Sequence, residues 1–378
     1  MQCQYFEANL CRSCTWLEKP YPQQLQDKNA HCQSLLPQVP EKAWLPIQPS
    51  PQTGFRNKAK LAAGGRGGDL TLGINTLHGP NQDLQHCPLY SPPMRSLIRD
   101  LARWLNFLGI SPYDLQTRNG ELKYLIVTEG ADHQFLVRLV VRSHYWLGRL
   151  RAQVPMLQQQ FPEVVSWSVN IHPEHAATLA GEEEHVLAGG YVPVKFGEVT
   201  VLSNPESFLQ TNTFVATALY TQATRWLAAL GVSRVLDLFC GVGSFALAAA
   251  KAGITAHGVE SDPRAVEAAQ MSAQQEALAA AFTTADATNT LTEALEKANN
   301  PQAVIVNPPR RGIGAALATD INNSGVPYVL YSSCNPQSFA QDLTQMTNYR
   351  VVRIRPFDMF PHTAHVETLS LMTRTKNG

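Results

Sequence analysis

No stretch of this 378-residue chain holds the roughly 20 consecutive apolar residues that a membrane-spanning helix needs, so no membrane partner is expected. The opening Met1-Gln2-Cys3-Gln4 lacks the basic start and apolar run of a secretory leader, which predicts a cytoplasmic protein. An excess of charge of one sign is also missing, because 30 Lys and Arg balance 30 Asp and Glu. Cysteine is sparse, at seven residues. In a reducing compartment so few thiols make no disulfide framework, and a cluster among them is better explained by metal binding or catalysis. Hydrophobic residues make up 44% of the chain, enough for two or three cores and against a disordered or fibrous protein.

What is present is unevenly spread. Residues 50–151 carry 13 Lys or Arg against 7 Asp or Glu, a local excess on which a polyanion could dock. The first fifty residues are rich in Cys, Gln and Pro, show weak periodicity and predict a small region that needs a staple. From Gly54 to about Asn204, short runs such as Leu122 to Val127 and Phe135 to Val141 predict strands of an antiparallel domain. One helix interrupts them, from Met94 to Leu108, where Leu97, Leu101, Trp104, Leu105 and Leu108 share a face and Gly109 is a stop signal. After Asn204, a helix near residues 213–230 leads into strands near 235–239, 255–260, 282–286, 303–307 and 327–333. Ala-rich helices alternate with these strands, which predicts a parallel, doubly wound α/β sheet. Residues 351–358 and 366–373 have no helix between them and predict an antiparallel edge.

The chemistry-bearing motifs all follow predicted strands, where open α/β sheets bind ligands. Gly241-Val242-Gly243-Ser244-Phe245-Ala246 fits G-x-G-x-x-A, and Glu260 ends the next strand 19 residues later. Glycines let a cofactor approach the backbone and the carboxylate can hold ribose hydroxyls, a grammar shared by NAD and S-adenosylmethionine sites. Asn307-Pro308-Pro309-Arg310 after the fourth strand favours the methyl donor, because an amide can both donate to and accept from a base edge. Cys334 follows the fifth strand, where positive charge or a helix N-terminus could lower its pKa and make it a nucleophile. Glu367, in His365-Val366-Glu367, brings a carboxylate to the same end. Cys3, Cys11 and Cys14 have the spacing C-x7-C-x2-C, and Cys87-Pro88 offers a fourth soft ligand. Four thiolates suit iron–sulfur or zinc.

Taken together these segments, with Phe55-Arg56-Asn57-Lys58 and Pro205 to Asn212, resemble the RNA 5-methyluridine methyltransferase family. Its members are S-adenosylmethionine-dependent uracil-C5 methyltransferases of transfer and ribosomal RNA. The resemblance covers nearly the whole chain. It implies a Rossmann-like α/β catalytic domain at 205–378, a β-rich RNA-binding domain at 51–204, and an iron–sulfur region at 1–50 completed by Cys87. It also implies that Gln210, Phe239, Ser244 and Glu260 line the methyl-donor site with Asn307 beside them, that Cys334 is the nucleophile, and that Glu367 accepts the proton. A 4Fe–4S cluster is implied on Cys3, Cys11, Cys14 and Cys87. The cluster-bearing cysteines and the missing N-terminal β-domain point to the short 23S ribosomal RNA branch, a monomer acting on uridine 747. Asn307 stands where many relatives have Asp, and Ser244 where Asn is frequent.

In that chemistry, thiolate addition to uracil C6 makes C5 nucleophilic, and a base then removes the C5 proton. Arg56, Lys58 and Lys60 are expected to grip phosphates. Two other readings fit parts of the pattern. An RNA 5-methylcytosine methyltransferase would carry a cysteine where Arg310 follows Pro309, and an iron–sulfur RNA-binding protein without catalysis would not need the intact turn, nucleophile and base.

Overall fold

The computed structural model describes residues 1–75, 81–176 and 178–375. A short helix α1 (Gln4–Glu7) and the long helix α2 (Tyr21–Leu35) precede strands β1 (Lys58–Arg66), β2 (Asp69–Ile74) and β3 (Gln82–Asp83). Helix α3 (Pro92–Leu108), strands β4 (Leu122–Glu129) and β5 (Phe135–Val141), helix α4 (Leu147–Gln160) and strands β6 (Val164–Ile171) and β7 (Glu183–Ala188) follow. The two-stranded pair β8 (Val192–Phe196) and β9 (Val199–Ser203) leads to α5 (Thr213–Ala229). Then alternate β10 (Arg234–Leu238), α6 (Ser244–Lys251), β11 (Thr255–Glu260), α7 (Pro263–Gln275), β12 (Ala280–Thr284), α8 (Leu291–Lys297), β13 (Ala303–Val306), α9 (Gly314–Asn323), β14 (Tyr328–Ser333) and α10 (Pro336–Leu343). Strands β15 (Tyr349–Phe357) and β16 (Glu367–Arg374) close the chain. Among the described residues no helix is long and apolar enough to cross a membrane.

The contacts divide the chain into two compact units, residues 1–13, 52–194 and 204–206 in one and residues 14–51, 195–203 and 207–378 in the other. The first contains a seven-stranded sheet of order β3-β2-β1-β4-β5-β6-β7. Its covered face buries Leu61, Leu125, Val127, Val137, Leu139, Trp167 and Val169 together with Leu97, Leu101 and Leu105 of α3. The ends of α3 are set locally: the Ser91 hydroxyl accepts from Met94 N–H, and Gly109 terminates the helix at φ 70°. The sheet is mixed rather than antiparallel, because β5 and β6 run parallel. A parallel pair needs a crossover, and α4 supplies it as a second helix that sequence patterning did not predict. Pro155 and a thin apolar stripe of Leu150, Val154 and Leu157 hide that helix from a periodicity reading.

The second unit has the sheet order β12-β11-β10-β13-β14-β16-β15, with β10 to β14 parallel and the last two strands antiparallel. These are the predicted doubly wound sheet and antiparallel edge. The strand order reverses between β10 and β13, and at such a switch point the loops diverge and leave a crevice at the strand C-termini. Residues Trp44 to Gln48 run alongside β15, with Leu45 N–H donating to Ile354 O at 2.8 Å, so the edge predicted for β15 is covered. Helix α2 belongs to this unit, although its sequence shows only weak periodicity. Its buried residues are Gln24, Lys28 and Cys32, one stripe at i, i+4 and i+8 that is largely polar.

Candidate active site

The turn after β10 is a strained and tightly packed piece of backbone. Phe239 sits at φ 60°, a left-handed conformation that costs a non-glycine residue about 1–2 kcal/mol. Gly243 has φ 81°, and a Cβ there would lie 2.7 Å from the Phe282 ring, so only glycine lets α6 start at this point. Asp237, fully buried on β10, accepts from Ala246 N–H at 3.0 Å through one oxygen; the other has no hydrogen-bond partner among the described residues. Burial raises its pKa to about 8.

Glu260 closes the turn from the neighbouring strand. One carboxylate oxygen accepts from Gly241 N–H at 3.1 Å, and the other from Ser261 N–H at 2.7 Å and Asp262 N–H at 3.0 Å. The carboxylate is thereby fixed in place, with lone pairs left for a ligand's hydroxyls. Ser244 is buried and its hydroxyl meets the hydroxyl of Tyr220, which is packed edge-on between Phe196 and Phe245. Gln210 is buried two residues before Asn212, whose side chain caps α5 by accepting from Val215 N–H at 3.1 Å. A backbone turned away from its side chains, a fixed carboxylate and an orphaned carboxylate oxygen fit an adenosyl cofactor that carries hydroxyls and an ammonium group.

The second half of the site is built at the ends of β13, β14 and β16. Asn307 follows β13 with its N–H directed at Leu238 O, and is half-buried. Asn335 ties the loop after β13 to the loop after β14, because its side-chain N–H donates to Arg310 O at 3.0 Å. Cys334 lies between these anchors, half-buried, with its thiol hydrogen-bonded by the Arg310 side chain. The thiol pKa is raised, not lowered: burial dominates and Glu367 adds to it, against the opposing pull of Arg310. That corrects the expectation that the thiol's surroundings lower its pKa.

Glu367 is 2% exposed at the start of β16. The register pairs Ser333 with Thr368, so Cys334 and Glu367 adjoin the same cross-strand pair. Burial pushes the Glu367 carboxyl up to about 7, opposed only by a 2.7 Å hydrogen bond from the Ser332 hydroxyl. A carboxyl of that pKa exchanges protons near neutrality, as a general base must. Sequence reading missed Asp342, a buried carboxylate of α10 that accepts from Ile313 N–H at 2.9 Å, Gly314 N–H at 3.2 Å and the Tyr331 hydroxyl at 2.5 Å. It shapes the loop that carries Arg310. Tyr220 and Ser332 were missed as well, since nothing in a helix interior or strand marks a hydroxyl as facing a site.

The cysteine set divides between the two units. Cys3, Cys11 and Cys87 belong to the first, half-buried against its core, and Cys14 to the second. Burial raises the Cys87 thiol to about 11, with Cys3 and Cys11 raising it further and Arg56 lowering it. Thiolates around one zinc lie within about 4.6 Å of one another. Among the described residues, Cys3, Cys11 and Cys87 do not all lie within 4.8 Å of one another, whereas the ligand atoms of exposed His144 and Glu183 and half-buried His185 do. The Cys87 thiol remains within electrostatic reach of Cys3 and Cys11. Arg56 has a buried Nε without a hydrogen-bond partner among the described residues, and a cation there suits a thiolate-ligated cluster. Lys58 is buried, with its pKa lowered by burial to about 8, and does not suit the phosphate grip expected of it; Lys60 is exposed.

Residues 191–375 match the family model described as tRNA (Uracil-5-)-methyltransferase. The chain is 44% identical to the 23S rRNA (uracil(747)-C(5))-methyltransferase RlmC of Pectobacterium carotovorum, over 99% of this chain and 100% of the relative. It is 42% identical to the same enzyme of Halothiobacillus neapolitanus, over 100% of both chains. The crystal structure of Pyrococcus abyssi tRNA (uracil-54, C5)-methyltransferase with S-adenosyl-L-homocysteine superposes with a TM-score of 0.79 at 24% identity, covering 95% of this chain and 85% of that one. That likeness shows the S-adenosylmethionine-dependent methyltransferase fold. With full-length relatives at this identity, the chain belongs to the tRNA (uracil-5-)-methyltransferase family.

Proposed function

We propose that this protein methylates C5 of a uridine in 23S ribosomal RNA, uridine 747 by the names of its relatives, using S-adenosylmethionine. The observation that carries the reading is the pairing of a thiol held by Arg310 with a buried carboxylate of pKa about 7 at one end of one sheet. Phe239, Ser244, Glu260, Gln210 and Asn307 hold the cofactor. When bound, it supplies an electrophilic methyl group at the strand C-termini.

Cys334 acts first. Its thiolate forms a bond to uracil C6 while the C5–C6 π electrons move toward the C4 carbonyl oxygen, which makes C5 nucleophilic. The Arg310 guanidinium stabilises the thiolate that the apolar surroundings resist, and Asn307 offers an amide to the uracil edge. After methylation, Glu367 removes the C5 proton. The electron pair re-forms the C5–C6 double bond and expels the Cys334 thiolate. The target base has to leave its stack, because C6 is inaccessible within a helix.

The four cysteines Cys3, Cys11, Cys14 and Cys87 hold a 4Fe–4S cluster that shapes the N-terminal region, and residues 51–204 contribute the RNA-binding surface. The excess of Lys and Arg at residues 50–151 supports that assignment. The protein acts as a cytoplasmic monomer. The deciding experiment is mass-spectrometric nucleoside analysis of unmodified 23S ribosomal RNA incubated with protein and S-adenosylmethionine. New 5-methyluridine that disappears with Cys334→Ala is the expected result; 5-methylcytosine, or no product, would refute the reading.

A further inference from the structure

The loop between β15 and β16, residues 358–366, contains no regular structure, yet it is held by several hydrogen bonds and a buried ion pair. It opens on Asp358 and delivers Glu367 into β16, where Glu367 pairs with Phe357 across the ladder. Asp358 forms an ion pair with Lys28 of α2 at 2.5 Å, and both side chains are fully buried. The Lys28 ammonium also donates to Phe360 O at 3.0 Å, and the Tyr21 hydroxyl donates to the other Asp358 oxygen at 2.7 Å. Gln24 accepts from His362 N–H at 2.8 Å, while Trp16 N–H donates to His362 O at 2.9 Å. Asn212, next to the loop from Gln210, donates to Met359 O at 3.2 Å. His362 itself is held at φ 66°, a conformation its surroundings must enforce.

This construction is not explained by stability. A buried ion pair gains little over well-packed apolar residues, because desolvation offsets the attraction. What the polar stripe of α2 does supply is direction, since Lys28 fixes the Asp358 carboxylate and Phe360 O, and Gln24 fixes His362 N–H while also holding Trp16 O and Lys19 O. The loop's far end adjoins the reaction: His365 feels the charges of Arg310 and Lys28, and the Cys334 thiol feels that of Glu367. We propose that Lys28, Gln24 and Asp358 are positioning residues for proton removal, holding the 358–366 loop so that Glu367 meets C5 of the uracil adduct. The proposal rests on Cys334 as nucleophile and Glu367 as base. It assigns the N-terminal helix a part in one chemical step, separate from RNA or cofactor binding.

The test uses the full-length protein, S-adenosylmethionine and a 23S ribosomal RNA fragment containing the target uridine. Covalent protein–RNA adduct is read on denaturing gels beside steady-state kinetics, for wild type, Glu367→Gln, the apolar pair Lys28→Met with Asp358→Leu, and Gln24→Leu. Thermal melting checks that each variant is folded, and Gln24→Leu decides the matter if the paired variant does not fold. The expected result is that the folded positioning variants accumulate adduct as Glu367→Gln does, with kcat reduced at least about tenfold and kcat/KM for RNA much less affected. A merely structural role would not enrich the adduct. Adduct in Glu367→Gln but none in the folded positioning variants overturns the proposal alone. Absence of adduct in Glu367→Gln overturns the base assignment, and the proposal with it.

Discussion

The Ser332 hydroxyl donates to the Glu367 carboxylate at 2.7 Å, from the strand that ends one residue before Cys334. One cross-strand contact therefore links the element carrying the nucleophile to the element carrying the base. Removing the Ser332 hydroxyl takes away the one interaction that lowers the Glu367 pKa. Ser332→Ala is expected to shift the pH dependence of turnover upward, measured as kcat against pH. An unshifted profile would contradict the link.

Glu367 works as a base only when ionised, so release of the Cys334–RNA adduct should rise about tenfold per pH unit below pH 7 and level off above it. Rapid-quench measurement of adduct decay between pH 5.5 and 8.5 checks this. A pH-independent decay would remove Glu367 from the step.

Linkage gives a second consequence of the same group. Its folded pKa, about 7, lies above its ordinary value of 4.5, so the stability it contributes is present below pH 4.5 and lost as pH rises through 7. Glu367→Gln should therefore melt higher than wild type at pH 8.5, by an amount on the order of 3 kcal/mol at most, and show no such gain at pH 4.5. Melting curves at the two pH values decide it.

Arg310 opposes the burial and carboxylate effects that raise the Cys334 pKa. Arg310→Met should slow alkylation of Cys334 by iodoacetamide at pH 8 severalfold, because less thiolate is present. Mass spectrometry of the Cys334 peptide reads the rate, and an unchanged rate would show that the guanidinium does not act on the thiol.

Gly312 adopts φ 84°, and a Cβ on it would meet the Asp342 carboxylate at 2.4 Å. Gly312→Ala should cost more than about 1 kcal/mol in urea unfolding and slow Cys334 alkylation together, since Asp342 also holds Ile313 and Gly314. Loss of stability with unchanged Cys334 reactivity would separate the loop from the nucleophile.

The succession of strands β10 to β14 along the chain, the glycine turn, and the places of Cys334 and Glu367 after or beside strands were legible because each rests on local pattern. Buried parallel strands read as apolar runs, and turns announce themselves by Gly, Pro and Asn. The failures share a cause. Helix α4 contains Pro155, and α2 buries Gln24, Lys28 and Cys32, so neither presents the apolar periodicity that marks a helix. Sequence likewise could not tell that Lys58 is buried while Lys60 is exposed, because alternation along β1 assigns faces without saying what covers them.

By itself, then, the sequence determined which residues end up at the C-terminal edge of the catalytic sheet, since strand ends follow from hydrophobic runs and their breakers. Tertiary structure alone decided their protonation. Cys334 and Glu367 have raised pKa values because distant segments exclude water from them, and Arg310 reaches the thiol only because Asp342 and Asn335 hold its loop. Desolvation depends on everything that packs around a group, and no local pattern of residues records it.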